Sequence, residues 1–388
     1  MRPQPLASRR VGYLWGSALI LLLVFIPARA CTIFVLTDAD HAFFCNNEDN
    51  ANPRTIIWFQ PGGSGHYGAV YVGTDTGWAQ GGMNIEGLAF DWIAGYSEKW
   101  EASAAARVRG NPSQRMLETC RTVGEAAAFF QSHWEPSFSF ARLLVADRSG
   151  ASAVIRAQDN RLVIERDNQC RGFGFGQRPL DLALARHPQP TVENGLKILR
   201  DCRQDGYFSS KYSNVYDLKR GKIFLCFLPP GDDTVELDLP VELEKGAHYY
   251  DMPRIREQRR QSPLALPLNL RRFPLDNLPP IADPEPPVTA HLREVIQHGL
   301  DGTSQAGDFT PEMWKRISHL PKKSQDDLKR FGQLLSMDLV ERSEKDGQRS
   351  YYYRAEFTHA TALQYILLDA QNRVASGNLQ VDSVWKPE

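Results

Sequence analysis

A cysteine stands directly after the only long apolar run of the sequence, in the stretch PARACTIF, residues 27–34. If the chain is cut after Ala30, Cys31 becomes the first residue and keeps a free α-amino group. An α-amine has an ordinary pKa of about 8 and a thiol one of about 8.5, so the amine can accept the thiol proton. One residue would then hold both the nucleophile and the base of an acyl-transfer reaction.

Residues 1–30 have the features of a secretory signal peptide. Basic residues and no acid precede the almost wholly apolar residues 11–26, and the segment ends in Ala28-Arg29-Ala30. A charged head, an apolar middle and a small-residue cleavage site are typical of such signals. The run is also slightly short for a spanning helix, which needs about 20 apolar residues. The sequence predicts an exported chain, periplasmic or secreted, without a membrane span after cleavage.

Two other interpretations of Cys31 stay open. Lipoprotein signals also place a cysteine after the cleavage site, but Ala28 and Arg29 stand where such signals usually have leucine and a small residue. Oxidising compartments favour disulfides, and the cysteines form an even set: Cys31, Cys45, Cys120, Cys170, Cys202 and Cys226. The cysteine count alone does not decide between a disulfide and a free nucleophile.

The first strands predict a partner for the α-amine. CTIFVLT and HAFFCNN are β-rich runs joined by Asp38-Ala39-Asp40, a turn-forming stretch, and together they predict a hairpin. Asp49 follows the second run, where the returning chain comes back beside Cys31. A carboxylate there would accept hydrogen bonds from the α-amine and keep the base oriented. The alternative is that Asp49 is only a turn or cap residue.

Three segments resemble the choloylglycine hydrolase and penicillin V acylase family of N-terminal-nucleophile amidases. They are CTIFVLTDADHAFFCNNED (31–49), QGGMNIEGLAFDW (80–92) and KYSNVYDLKRGKIFLCF (211–227), and they occur in the family's order. The resemblance extends from Cys31 to about Met252. It implies an αββα sandwich, Cys31 as nucleophile, and Asp49 as the residue that orients the α-amine.

The remaining site candidates are less sharply defined. The family has an arginine beside the nucleophile where this chain has Asn46, which supplies a hydrogen bond without a charge. Asn84, in GGMNIEGL, either lines the site or occupies a turn between glycines. The resemblance also implies an asparagine that stabilises the oxyanion. It falls on Asn168, or on Phe173 if the register is shifted, and the other expected donor falls near Ala94.

Length and proline content predict two domains. A chain of 388 residues is longer than a single core usually supports. Nine prolines lie between Pro253 and Pro287, as in a semi-rigid linker or a belt on the surface. We therefore expect a catalytic domain over residues 31–252, a linker over 253–288 and a small α+β accessory domain over 289–388, of the cystatin-like or nuclear-transport-factor-like kind.

Hydrophobic periodicity gives the α+β fold class. Helical spacing covers residues 113–134, 191–202, 288–300, 310–320 and 323–335, and Thr310 is placed to cap its helix. Strand patterns dominate near Cys31, over residues 58–72 and 141–165, and after residue 335, where Asp346-Gly347 predicts a hairpin turn. Periodicity alone predicts α+β; the αββα layer order comes from the family resemblance.

Charge and motif content argue against several classes of partner. The formal net charge is −1 and the pI is about 6.8, so there is no basic field for nucleic acid. Histidines and cysteines lack zinc-like spacing, and GFGFGQR lacks the third glycine of a dinucleotide loop. We expect no cofactor and no metal, and a small N-acyl amide as substrate.

Three functional hypotheses follow. The first is an exported cysteine N-terminal-nucleophile hydrolase that cleaves a linear, non-peptide amide. The second is an acyltransferase, because the similar acyl-coenzyme A:6-aminopenicillanate acyltransferases form the same acyl-enzyme; export away from coenzyme A argues against it. The third is a catalytically inactive binding module, suggested by the missing arginine.

Overall fold

The structure is a computed structural model. It describes residues 31–75, 77–100, 108, 110–206, 208–227, 234–270, 278–320, 326, 328–329, 331–345 and 347–382. The predicted signal peptide, residues 1–30, lies outside this part of the chain.

The nucleophile candidate precedes the first strand of an antiparallel sheet, called sheet 1. Its strands are β1 (Thr32–Thr37), β2 (Ala42–Asp49), β10 (Arg171–Gly174), β11 (Ser210–Asp217), β12 (Lys222–Phe227) and β13 (Thr234–Asp238). They are hydrogen-bonded in the order β10-β1-β2-β11-β12-β13. Strand β1 therefore lies between β10 and β2, and its first residues are held by strands on both sides.

A second antiparallel sheet, sheet 2, lies against the first. Its strands are β3 (Thr55–Gln60), β4 (Ala69–Thr74), β5 (Ala79–Asn84), β6 (Ala89–Ala94), β7 (Ala141–Ala146), β8 (Ser152–Gln158), β9 (Arg161–Asp167), β14 (His248–Asp251) and β15 (Leu264–Ala265). Their order is β15-β14-β3-β4-β5-β6-β7-β8-β9. Buried side chains of both sheets form one core, with Ile33 and Phe44 from sheet 1 and Val70 and Leu144 from sheet 2.

Helices cover the outer faces of the two sheets. Helices α1 (Pro112–Thr119) and α2 (Val123–Ser132) share a core with sheet 2. Helices α3 (Gln177–Leu184) and α4 (Val192–Asp201) share another with sheet 1. The layer order is therefore helix, sheet, sheet, helix, and the predicted αββα fold class is confirmed.

The hairpin at the start of sheet 1 forms as predicted. Asp38 Oδ1 accepts hydrogen bonds from the main-chain nitrogens of Asp40 at 2.8 Å and His41 at 2.7 Å. This closes the turn and sets the register, in which Thr32 lies opposite Asn47. Cys31 therefore starts opposite Glu48, next to the end of β2.

The prediction of one continuous helix over residues 113–134 is wrong, because the structure has two helices there, α1 and α2. Thr122 has extended backbone torsions, and its hydroxyl accepts a hydrogen bond from the main-chain nitrogen of Glu125 at 3.1 Å, which caps a new helix. The helix predicted over residues 191–202 is confirmed as α4, and Thr191 caps it.

The proline-rich stretch contains regular structure. Helix α5 (Leu239–Glu244) precedes it, and α6 (Ile255–Gln261) lies within it. Strand β15 pairs with β14, so this stretch joins the edge of sheet 2. Leu268 packs with Tyr352 and Leu363, further along the chain. The domain boundaries at residues 252 and 288 stay predictions.

A separate four-stranded sheet follows. Its strands are β16 (Leu334–Lys345), β17 (Gln348–Phe357), β18 (Thr361–Leu368) and β19 (Val374–Asp382), paired in chain order. Helices α7 (Pro286–Asp301) and α8 (Pro311–Ile317) pack on it, and the Thr310 hydroxyl caps α8 as predicted. Much of the helix predicted over residues 323–335, and Asp346 of the predicted turn, lie outside the described residues.

Candidate active site

The main-chain nitrogen of Cys31 is held by a carboxylate. It donates a hydrogen bond to Asp49 Oδ2 at 2.7 Å. In this chain that nitrogen belongs to the peptide bond after Ala30, and it is the atom that cleavage after Ala30 would convert into the α-amine. The structure brings together the two residues that the sequence predicted as nucleophile and base-orienting group.

Asp49 is fixed at the junction of three strands. Its Oδ1 accepts a hydrogen bond from the Ser210 hydroxyl at the start of β11, while its Oδ2 faces Cys31. Burial raises the pKa of Asp49 to about 6, against the opposing effect of the hydrogen bonds from Ser210 and Cys31. Both carboxylate oxygens are thus used for positioning.

The thiol of Cys31 lies among carboxyl groups. Its Sγ donates to Glu48 Oε2 at 3.7 Å and accepts from the main-chain nitrogen of Asp49 at 3.4 Å. Burial, followed by the negative charges of Glu48, Asp49 and Asp91, raises the pKa of the thiol well above its ordinary value. Any thiolate at this site therefore needs a proton acceptor or a nearby cation.

Glu48 and Asp91 form a buried carboxyl pair between the sheets. Glu48 Oε1 accepts from Asn50 Nδ2 at 3.1 Å, and Asp91 Oδ1 accepts from the main-chain nitrogen of Trp92 at 2.6 Å. Burial raises the pKa of Glu48 to about 7, and burial together with the charge of Glu48 raises the pKa of Asp91 well above its ordinary value. Each ionised carboxyl group disfavours ionisation of the other, so the protonated forms are favoured in this pair.

Gly81 makes room for this pair. It lies opposite Asp91 in sheet 2, and a Cβ at this position would lie 2.6 Å from Asp91 Oδ2. A larger residue would therefore collide with the carboxyl group.

Other polar side chains on the inner face of sheet 1 extend this pair into a cluster. Glu48 lies opposite Tyr212, Asn46 opposite Asn214, and Phe44 opposite Tyr216. Residues opposite each other in an antiparallel pair share a face, and Tyr212, Tyr216 and Phe44 belong to the core between the sheets. We call this set the inter-sheet polar cluster: Asn46, Glu48, Asp91, Tyr212, Asn214 and Tyr216.

Much of the cluster's hydrogen-bonding capacity is unused. Among the described residues, the amide atoms of Asn46 and Asn214, the hydroxyls of Tyr212 and Tyr216, and Asp91 Oδ2 are buried without a partner. Buried polar groups are normally hydrogen-bonded. Asn46, predicted as an uncharged substitute for the family's arginine, is therefore on the same face as the thiol and free to bind.

Asn84 is not brought to Cys31. Its neighbour Met83 faces the core between the sheets, so Asn84 points to the opposite face of β5. There Nδ2 donates to the carbonyls of Leu117 at 2.7 Å and Cys120 at 2.8 Å, and Oδ1 accepts from the main-chain nitrogen of Leu88 at 3.0 Å. The first two contacts fix the end of α1 on sheet 2, and the third closes the turn between β5 and β6.

Asn168 is not brought to Cys31 either. It is exposed in the turn between β9 and β10. The part of this segment that reaches Cys31 comes later, where the main-chain nitrogen of Phe175 donates to the Cys31 carbonyl at 2.7 Å and Phe173 lies opposite Ile33. The shifted register, which pointed to Phe173, describes the neighbourhood of Cys31 better.

A cavity of about 580 Å³ lies beside β10, lined among others by Arg142, Val154, Gly172 and Phe173. Cys31 does not line it. Since Phe173 lies opposite Ile33, the cavity adjoins the strand that begins after the nucleophile rather than the thiol itself.

Sequence reasoning missed Glu48, Tyr212, Asn214 and Tyr216. The spacing of these residues was a usable signal, because residues two apart in a strand point to the same face. Asn46 and Glu48 have this spacing in one strand, and Tyr212, Asn214 and Tyr216 have it in another. Asp91 has no such signal in the sequence, since its position depends on the stacking of the two sheets.

The structure limits some other possibilities for the described residues. None of the six cysteines forms a disulfide. No group of three or more His, Cys, Asp or Glu within the described ranges is arranged to hold a metal ion. In the same ranges, no helix has the length and apolar character needed to cross a membrane.

Comparisons with known proteins give likenesses of fold only. No protein-family model matches the chain, and no curated protein sequence matches it. Penicillin V acylase from Agrobacterium tumefaciens is similar in structure, with a TM-score of 0.48, 15% identity, and coverage of 57% of this chain and 91% of that one.

Two structures of conjugated bile acid hydrolase from Clostridium perfringens, a mutant and a variant, each have a TM-score of 0.45. Their identities are 13% and 12%, with 57% and 61% of this chain and 96% and 99% of theirs covered. Similarity of this extent does not identify a function.

The buried Glu48 predicts a specific dependence of stability on pH. Its pKa is about 7 in the folded chain against an ordinary 4.5, so the folded state binds this proton more tightly than the unfolded state does. Stability should therefore fall as pH rises from about 4.5 to about 7, by an amount on the order of a few kcal/mol. Urea unfolding of the chain beginning at residue 31, measured across this range, checks the sign.

Glu48→Gln should make this dependence less steep, because the amide does not titrate, while Asp49, whose pKa is also raised, still does. Glu193→Gln, at an exposed position on α4, is the control and should keep the original slope. An equally steep fall in Glu48→Gln would contradict the assignment.

Proposed function

We propose that this chain is an exported cysteine N-terminal-nucleophile amidohydrolase. It cleaves a linear, non-peptide carbon–nitrogen amide bond of an N-acyl substrate through an acyl-enzyme on Cys31. The observation that carries this proposal is the 2.7 Å hydrogen bond from the Cys31 main-chain nitrogen to Asp49 Oδ2. It supports the proposal because the nitrogen that would become the α-amine contacts a carboxylate and belongs to the same residue as the thiol.

In this mechanism the α-amine removes the thiol proton as sulfur attacks the amide carbonyl. A carbon–sulfur bond forms, and the tetrahedral intermediate carries a negative oxygen. When the carbon–nitrogen bond breaks, the α-ammonium returns the proton to the leaving nitrogen. Water then attacks the thioester, the amine accepts the proton from water, and the acid leaves as the thiol re-forms. Asp49 keeps the amine aligned throughout.

The raised thiol pKa is compatible with this route. Because the thiolate is disfavoured before substrate binds, proton removal and attack must be nearly simultaneous. An amine within the same residue suits this requirement, since it needs no separate side chain to approach. Asn46, buried on the same face and without a partner, is the group we assign to hydrogen-bond the developing negative charge.

The backbone of Cys31 supports cleavage before it. Its φ is +73°, in the left-handed region that non-glycine residues seldom occupy, at a cost on the order of 1–3 kcal/mol. The φ torsion exists only while a peptide group precedes the residue. Cleavage after Ala30 would remove this constraint while keeping the nitrogen beside Asp49.

A second candidate function is an inactive binding module, favoured by the three carboxyl groups around a thiol that lacks a described cationic neighbour. The deciding test uses the chain beginning at Cys31 and a panel of fatty-acyl and arylacetyl anilides. We expect release of free acid without any added amine, and an intact-mass increase equal to the acyl group on rapid acid quenching.

The adduct should be absent in Cys31→Ala and present in Cys170→Ala, a matched control whose thiol contacts Thr37 at the far end of β1. Turnover in Cys31→Ala would refute the nucleophile assignment. If the whole panel gives neither acid nor adduct, the binding module replaces the hydrolase. Product formation only with an added amine would indicate the acyltransferase.

Asp49→Asn should slow turnover by about 10²- to 10⁴-fold, the usual range for acid–base support, because the amide orients the α-amine less firmly. Asp217→Asn is the control, since Asp217 is buried at the other end of β11 and contacts the turn at Lys219 and Arg220. It should retain the normal rate. A normal rate in Asp49→Asn would reduce Asp49 to a structural residue.

A chain prepared with one extra alanine before Cys31 should fold normally and be nearly inactive. The addition moves the amine by about 3.8 Å along the chain, beyond the roughly 2.6–3.2 Å reach of direct proton transfer. N-terminal sequencing verifies both chains, and thermal unfolding should give equal melting temperatures. A cysteine served by a distant side chain would not be affected, so an unchanged rate would rule out the α-amine as base.

A further inference from the structure

Glu48 and Asp91 are carboxyl groups without a cation. Both are almost fully buried, with exposed fractions of 2% and 1%. Within the described ranges, neither forms an ion pair with a lysine, arginine or histidine, whereas other buried acids such as Glu242 do. Their ionised forms are costly while they are buried and unpaired, so a bound cation would stabilise the ionised carboxyl groups.

The neighbours of this pair add hydrogen-bond acceptors. Asn46 Oδ1, Asn214 Oδ1, the Tyr212 and Tyr216 hydroxyls and Asp91 Oδ2 can each accept a hydrogen bond, and all are buried and without a described partner, as is Nδ2 of both asparagines. They belong to facing positions of β2 and β11, and to β6 across the inter-sheet space. Several acceptors around two acids match the donors of an ammonium, which has three N–H bonds, or a guanidinium, which has five.

Resting on the proposed function, we propose that the inter-sheet polar cluster binds the amine half of the substrate, and that this half carries an ammonium or guanidinium group. The substrates are then N-acyl derivatives of cationic amines.

The position of Glu48 favours the amine half over the acyl half. Glu48 Oε2 is 3.7 Å from Cys31 Sγ, so a group that contacts it lies close to the scissile bond. The leaving nitrogen must receive a proton there, and a carboxyl group that is partly protonated near neutral pH tolerates an emerging amine. An acyl chain, which is apolar in most N-acyl amides, would instead leave these acceptors unpaired.

The same charge arrangement disfavours other ligands. An amine half that ends in a carboxylate or sulfonate would bring a negative charge beside Glu48 and Asp91 and would be repelled by their ionised forms. A metal ion is disfavoured because the described residues contain no group of three ligands arranged for one. A bound organic cation would also favour the thiolate of Cys31. In the resembling family, an arginine at the position of Asn46 supplies that positive charge.

The test compares three amides that share one acyl group, chosen as the best acyl group of the anilide panel. Their amine halves are 1,4-diaminobutane, butylamine and 4-aminobutyrate, which have the same four-carbon length and carry a positive, zero and negative charge. We expect kcat/KM to be at least about tenfold higher for the cationic amide than for the neutral one, and lowest for the anionic one. Equal or higher kcat/KM for the neutral or anionic amide overturns the inference while leaving the proposed function intact.

Substitutions test which residues cause the preference for the cationic amide. Glu48→Gln and Asp91→Asn should each reduce the cationic-to-neutral ratio of kcat/KM several-fold, whatever their absolute rates. Glu135→Gln is the control, because Glu135 is fully buried but contacts Ser113 and Ser137 on the other face of sheet 2, and it should keep the original ratio. A ratio unchanged in both cluster variants overturns the inference.

A binding measurement separates the two proposals and does not require turnover. Calorimetric titration of Cys31→Ala with the three amides should show tighter binding of the cationic amide, reduced when Asp91→Asn is added. If wild type cleaves none of the amides yet this preference appears, the cation site stands and the hydrolase proposal fails. If Cys31→Ala binds all three amides alike, the inference fails. Where Glu48→Gln does not fold, Asp91→Asn and the charge series on wild type give the decision.

Discussion

The hydrogen bond between the Cys31 main-chain nitrogen and Asp49 sets the geometry on which the rest of the site depends. It joins the start of β1 to the end of β2, and the second oxygen of Asp49 ties the same point to β11 through Ser210. Three strands therefore meet at one carboxylate. Because strands alternate their side chains, this junction also decides that the thiol faces the inter-sheet core together with Asn46 and Glu48, rather than the helices α3 and α4.

Local pattern was enough to predict this junction from the sequence. Cys31 and Asp49 are 18 residues apart, joined by one hairpin whose turn is fixed by Asp38. In such a hairpin, register follows from the turn and from the apolar positions. Thr310 was likewise identified as a cap, because the capping contact is made within three residues.

The contacts that sequence could not give are those between layers. Asn84 was expected at the site or in a turn, yet its amide binds carbonyls of α1, more than 30 residues away. Asn168 was placed by analogy with a strand end, but the chain turns before reaching Cys31. Asp91 joins Glu48 only because sheet 2 stacks on sheet 1 with Gly81 leaving space. None of these contacts between layers produces a recognisable periodicity or spacing in the sequence.

The buried acids show how stability and reactivity compete in this sandwich. Elsewhere the fold satisfies a buried acid fully, since Glu242 accepts from Tyr250 at 2.9 Å, Lys245 at 2.7 Å and His248 at 3.1 Å. Beside Cys31 the fold leaves acids and amides open, which lowers stability without adding packing. A stability cost of this kind is typical of functional sites. In our proposal, the positive charge that lowers the pKa of the Cys31 thiol comes with the substrate, and the cluster that contains Glu48 and Asp91 is where that charge binds.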